Sequence, residues 1–152
     1  MSNTASSSGV MAGKKGLIMG VANERSIAWG IAAKLAEQGA ELAFTFQGEA
    51  LKKRVGPLAA SVGSSLVMPC DVTNEASMDN TFANLQKKWG KMDFLLHAIA
   101  YSDKEELKGG YVETSRDNFA RTMDISVYSF TAVARRAAAM MNDSGSLLTL
   151  TY

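Results

Sequence analysis

The sequence predicts an α/β fold, a doubly wound parallel sheet with helices on both faces. Two observations carry this expectation. Short apolar segments alternate with segments of helical period five times along the chain, and such alternation marks a parallel sheet covered on both sides. The first apolar segment also runs into a turn, Gly20-Val-Ala-Asn-Glu-Arg-Ser-Ile-Ala-Trp-Gly30, that opens onto a helix. A turn of this kind offers free backbone N–H groups and the positive end of a helix to a phosphate.

Each element has its own reason. Gly16–Met19 is strand one, short and apolar. Ser26–Gln38 is helix one: Ile27, Ile31 and Leu35 recur one turn apart, Ala28, Ala32 and Ala36 lie beside them, and Gly39 supplies a stop. Glu41–Phe46 is strand two. Glu49–Ser61 is a second helix, expected to bend or shorten at Gly56-Pro57, since proline has no N–H to continue the ladder. Ser65–Met68 is strand three. Asn74–Trp89 is a third helix, with Met78, Phe82, Leu85 and Trp89 on one face. Met92–His97 is strand four. Asp117–Met141 is predicted as one long helix whose Phe119, Met123, Val127, Phe130, Val133, Ala134 and Ala137 are available to face the sheet. Ser146–Leu150 is strand five, and the sheet is read as truncated after it. Residues 1–13, Ser-rich and small, are expected to be a disordered leader, which leaves 14–152 as an incomplete dinucleotide-binding domain.

Composition narrows the function classes. A formal net charge of +1 gives no basic surface for nucleic acid. No apolar run reaches the ~18 residues of a membrane span. With a single cysteine, Cys70, no internal disulfide forms, and a reducing cytoplasm is the expected compartment. One histidine and one cysteine are a poor basis for a metal site, and none is expected.

In sheets of this class ligands bind beyond the carboxyl ends of the strands, near the switch in strand order. The candidate residues therefore follow the strands. Gly20 opens the first turn, and Ser26 stands at the helix start, where its hydroxyl and N–H are placed for a phosphate oxygen. As a helix cap alone, Ser26 needs no ligand. Gln47 follows strand two, where NAD-binding folds often have an acidic residue for the ribose. The neutral amide favours NADH over NADPH, while Lys52, Lys53 and Arg54 keep NADPH open; as a solvated helix face they mean nothing more. Asp71, after strand three, is placed to accept from an adenine amine, with the Val72 N–H beside it; Asp71 also suits the cap of the next helix. His97 ends strand four and is read as structural, not as a general acid. Cys70 is read as an inert packing residue.

Taken together these segments resemble the short-chain dehydrogenase/reductase superfamily, and within it the bacterial enoyl-acyl-carrier-protein reductases of type II fatty acid synthesis. The resemblance rests on Gly20-Val-Ala-Asn…Ser26-Ile-Ala-Trp-Gly, Gly39-Ala-Glu-Leu-Ala-Phe-Thr-Phe-Gln47, Cys70-Asp-Val72, His97-Ala-Ile-Ala100, Asp124-Ile-Ser-Val-Tyr-Ser-Phe130 and Leu147-Leu-Thr-Leu-Thr-Tyr152. Ordinary members of the superfamily carry a glycine-rich first turn, an Asn-Asn-Ala-Gly-like segment after strand four and an Asn in the following long helix. The Ala-Asn turn, His-Ala-Ile-Ala and Ile125 found here match the enoyl reductase branch instead.

The resemblance implies a Rossmann-like fold, NADH as cofactor, hydride delivery to the β-carbon of a trans-2-enoyl thioester, and acyl carrier protein as the partner carrying that thioester. It implies a homotetramer. It assigns Gly20, Ser26, Ile27, Gln47, Asp71, Val72 and Ile99 to the cofactor, Ser102 to the neighbourhood of substrate, and Tyr152 to the first of two active-site tyrosines. The family's second tyrosine and its lysine, spaced Tyr-x6-Lys on a helix after strand five, have no counterpart before Tyr152. Tyr101 and Lys108 show the spacing, but after strand four, and are read as coincidence. The chain is thus expected to be an N-terminal portion and, on its own, nearly inactive towards enoyl thioesters. The other readings are a carbonyl reductase of the same superfamily and, were the chain complete, a non-catalytic dinucleotide-binding module.

Overall fold

A computed structural model describes residues 9–151. Five strands, β1 (Lys15–Met19), β2 (Glu41–Phe46), β3 (Leu66–Pro69), β4 (Met92–His97) and β5 (Met141–Thr149), form one parallel sheet in the order β3-β2-β1-β4-β5. Helices α1 (Ile27–Glu37), α2 (Gly48–Ser61), α3 (Glu75–Trp89), α4 (Arg116–Met123) and α5 (Ser129–Ala138) complete the layers. This is the doubly wound, Rossmann-like sheet that the alternation predicts. The chain reverses direction across the sheet when it passes from β3 back to β4 beside β1, so the seam between β1 and β4 is the switch point.

Alternation along the strands divides the core into two. Leu17, Met19, Met68 and Leu95 point to one face, where Met78, Phe82 and Leu85 of α3 and Val133 and Ala137 of α5 cover them. Ile18, Phe44, Phe46 and Leu96 point to the other, against Ala28 and Ala32 of α1 and Val55 and Ala59 of α2. Fully buried aliphatic and aromatic side chains are each worth about 1.5–3 kcal/mol of transfer free energy, so these two layers dominate the stability.

In helix one Ala28 and Ala32 are buried and Ile31 and Leu35 pack beside them, while Ile27 at its start is 68% exposed. Alanines let the helix approach the strands closely, and a larger side chain there would hold it off. Three expectations change. The second helix runs on through Pro57 to Ser61, because Val55 and Ala59 on either side are fully buried and Pro57 lies on the exposed face.

The long helix is not one helix. It divides into α4, a π turn (Asp124–Tyr128) and α5, and strand five begins at Met141. The π turn adds a residue to the winding and rotates the α4 face relative to α5. Phe119, Met123 and Val127 are consequently exposed instead of facing the sheet, and Ser129, Ala132, Val133 and Ala137 are buried. Finally, the described part of the segment read as a leader, residues 9–13, is a turn against the fold: the Met11 N–H donates to the Gln38 carbonyl at 3.0 Å. Residues 1–8 lie outside the described residues.

Candidate functional site

A cavity of about 700 Å3 opens at the carboxyl ends of β1 to β4, over the switch point. That volume is in the range of small-molecule and cofactor sites. Its walls come from the turn after β1, the ends of β2 and β3, the loop after β4, and the face of α4 and the π turn that carries Arg121, Asp124 and Ile125.

The first wall depends on Gly20. Its φ is +101°, and a Cβ there would land on the Ala98 carbonyl oxygen. Only glycine satisfies both conditions, so the backbone of β1 reaches the cavity bare. Beyond it, Ser26 stands at the start of α1 without a side-chain bond to the helix's first turn. The Ser26 N–H donates to the Asn23 carbonyl at 3.1 Å and its hydroxyl donates to the same oxygen at 2.6 Å. Both donors thus hold the turn closed. The first-turn N–H groups of α1, Ile27 and Ala28 among them, have no acceptor within the helix.

The second wall carries polar groups. Gln47 follows β2 and is exposed at the rim. The Asp71 carboxylate accepts from the Thr73 hydroxyl at 2.7 Å and the Thr73 N–H at 2.9 Å. These bonds hold its pKa below the usual carboxylate range despite partial desolvation, so Asp71 is an anion at neutral pH. Its N–H donates to Ser77 Oγ at 2.9 Å, which ties the end of β3 to α3. Val72 and Ile99 supply apolar surface. Burial pushes the Cys70 thiol up, which suits a packing residue rather than a nucleophile.

The fourth strand's loop is pinned to the π turn. The Tyr101 N–H donates to Ser126 Oγ at 2.9 Å, and that hydroxyl donates to the Tyr101 carbonyl at 3.1 Å. Ser102 does not line the cavity. Its Oγ accepts from Asn118 Nδ2 at 3.1 Å and lies 3.3 Å from Thr122 Oγ1, in a polar cluster around the buried Asn118. His97 lies behind the cavity, fully buried.

Gly20, Gln47, Asp71, Val72 and Ile99 therefore meet around one cavity, as the strand-end argument predicts. Ser26 and Ile27 stand outside it, and the Ile27 side chain points to solvent. Tyr152 lies outside the described residues. The sequence reading missed Arg121, Asp124 and Ile125, although their spacing of three and four is that of one helix face. Among the described residues no three of His, Cys, Asp and Glu cluster to hold a metal ion. No helix among them is long and apolar enough to cross a membrane.

The parallel sheet, its switch point and the cavity above it define a Rossmann-type α/β domain with a ligand site at the strand ends. Residues 20–152 match the model of the enoyl-(acyl carrier protein) reductase family, and the chain belongs to that family. It is 67% identical over 148 residues to enoyl-[acyl-carrier-protein] reductase [NADH] 1 of Rhizobium meliloti (strain 1021), a match covering 97% of this chain and 54% of the relative. Among solved structures it is similar to FabI from Candidatus Liberibacter asiaticus, with a TM-score of 0.92 and 52% identity over 95% of this chain and 56% of that one. It is also similar to the Anaplasma phagocytophilum reductase in complex with NAD, with a TM-score of 0.90 and 54% identity over 95% of this chain and 55% of that one. The chain thus spans about half the length of the curated relatives it matches.

Proposed function

We propose that the cavity holds NADH, and that the protein to which these residues belong reduces the trans-2 double bond of enoyl thioesters carried by acyl carrier protein. The observation that carries this reading is the convergence of Gly20, Gln47, Asp71, Val72 and Ile99 on one cavity at the switch point. The bare backbone at Gly20 fits a pyrophosphate, which needs close approach and offers no room for a Cβ. The free first-turn N–H groups of α1, Ile27 among them, suit its negative charge, and Ser26 holds the turn before them closed.

The remaining roles follow the chemistry of each group. The Gln47 amide takes the ribose hydroxyls. The ionised Asp71 accepts from the exocyclic amine of adenine, and the Val72 N–H faces a ring nitrogen. Ile99 gives an apolar wall to the nicotinamide end. When bound, the dinucleotide supplies a hydride for the β-carbon of the substrate. The hydroxyl of Tyr152 is assigned to the thioester oxygen, where a placed donor stabilises the charge that develops, typically by about 3–4 kcal/mol. Ser102 sits near the substrate end, where it orders the loop after β4 through Asn118.

NADH is preferred to NADPH in this reading, since Gln47 offers no charge and Lys52 is paired with Glu49 at 3.3 Å. The protein is placed in the cytoplasm and read as a homotetramer. Exposed Phe119, Met123 and Val127 lend support to an oligomer, because large apolar side chains grouped on a surface mark contact sites. The test is a titration of this chain with NADH, followed by nicotinamide fluorescence and calorimetry. Saturable binding that Gly20→Val abolishes is the expected result. A folded chain that binds no NADH at millimolar concentration would overturn the assignment.

A further inference from the structure

His97 is the chain's one histidine, it is 0% exposed, and the roles above leave it unused. Its hydrogen-bond partners nevertheless fix its protons. Nε2 lies 2.7 Å from Ser129 Oγ, and Nδ1 lies 2.9 Å from Thr149 Oγ1. The Ser129 hydroxyl has one hydrogen and stands 2.6 Å from the Ile125 carbonyl oxygen, which can only accept. That hydrogen therefore goes to Ile125, and Ser129 Oγ is left to accept from Nε2–H. A neutral imidazole has one N–H, so Nδ1 is bare and accepts from the Thr149 hydroxyl. The three bonds run in one direction, from β5 through β4 to the start of α5 and into the π turn. Bonds aligned in this way strengthen one another.

The end of that chain matters for the site. Ile125 belongs to the π turn, and with Asp124 it lines the cavity. A widened turn is not self-supporting, since its i→i+5 geometry is rarely sustained. Here two side chains hold it. Ser126 clasps the Tyr101 backbone from one side, and Ser129 holds the Ile125 carbonyl from the other. Ser129 in turn is held by His97, whose ring also packs on Phe130 of α5 at a centroid distance of 5.5 Å.

We propose that His97 is a positioning residue: locked as the Nε2–H tautomer between Thr149 and Ser129, it sets the π turn and so places Ile125 against the dinucleotide. The ligand half of this statement rests on the reading of the cavity as an NADH site, whereas the tautomer and the position of Ile125 do not. The experiment separates the two. In the chain labelled with nitrogen-15, without ligand, the single histidine gives one protonated ring nitrogen, Nε2, and one bare one, Nδ1. A protonated Nδ1, or a signal averaged over both tautomers, overturns the proposal on the unaltered protein.

Two variants then test the positioning. His97→Gln keeps an N–H for Ser129, while His97→Met keeps the bulk and loses the donor. The Met variant is expected to shift the Ile125 methyl resonance and to weaken NADH binding about tenfold, the effect of one disrupted buried hydrogen bond. The Gln variant restores the methyl resonance and binds within about threefold of the original. Equal behaviour of two folded variants overturns the proposal. Should His97→Met not fold, Ser129→Ala gives the same readout from the other end of the bond. If the unaltered chain shows the Nε2–H tautomer but binds no NADH, the cofactor assignment fails and the positioning stands on the Ile125 resonance alone.

Discussion

Gly20 and Ala98 meet across the β1–β4 seam with no space for a side chain between them: the backbone of Gly20 turns to a φ of +101° and its Cα faces the Ala98 carbonyl. The contact joins the two strands at the point where the sheet reverses order. Any Cβ at position 20 must either move β4 or abandon the turn. Gly20→Ala is therefore expected to lower stability by about 1–3 kcal/mol from backbone strain alone. Urea unfolding checks the loss, and NADH titration of the folded fraction checks whether the turn still closes on its ligand.

Asp71 offers a cleaner separation of binding from stability. It is partly exposed, and its hydrogen bonds are local, to Thr73 and through its N–H to Ser77. Asp71→Ala is expected to weaken NADH binding about five- to tenfold while leaving the urea midpoint nearly unchanged. Calorimetric titration beside an unfolding curve distinguishes this from a general loss of structure.

His97 makes stability depend on pH in a predictable direction. Burial holds its pKa below the ordinary value of 6.5. The unfolded chain therefore takes up a proton on acidification before the folded protein does. Stability from this group is complete above the unfolded pKa and is lost as the pH falls from about 6.5 towards the lower folded value. The urea midpoint is expected to fall between about pH 7.5 and about pH 5.5, and His97→Gln is expected to flatten that slope.

Asp93 acts at more acidic pH with a shift in the same direction, here because the charged form is the one favoured. Desolvation raises its pKa, but the Lys15 N–H at 2.8 Å, Asn142 Nδ2 at 3.0 Å and the Lys14 ammonium at 3.6 Å together hold it below 3.8. Its contribution is present above the unfolded value and is lost as the pH falls through the folded one. Because these partners lie at the starts of β1 and β5, Asp93→Ala is expected to cost about 1–2 kcal/mol at neutral pH. In acid the difference between variant and original closes, which a series of urea curves below about pH 4 reveals.

The strands and the cavity were legible because their signals are local. Met92–His97 carries the apolar Phe94-Leu95-Leu96 between Lys91 and the small Ala98, and the structure places β4 on those residues. The rule that ligands sit beyond strand ends then led to Gly20, Gln47, Asp71 and Val72, with Ser26 falling outside the cavity, and the family resemblance added Ile99. The π turn was not legible, because what holds it is distant in sequence: Ser126 meets Tyr101, and Ser129 meets His97. Hydropathy alone assigns Phe119, Met123 and Val127 to the sheet, since it counts residues at a fixed helical period and cannot register an added one.

The strand order also sets a timetable for synthesis. β1 lies at the centre of the sheet between β2 and β4, yet β4 begins only at Met92. On a ribosome adding about 5–20 residues per second, β1 waits roughly four to fifteen seconds for its second neighbour. From the completion of β3 at Pro69 until Met92 is added, the nascent β1–β2–β3 half-sheet carries β1 as an unpaired edge strand, open to strand pairing with other chains.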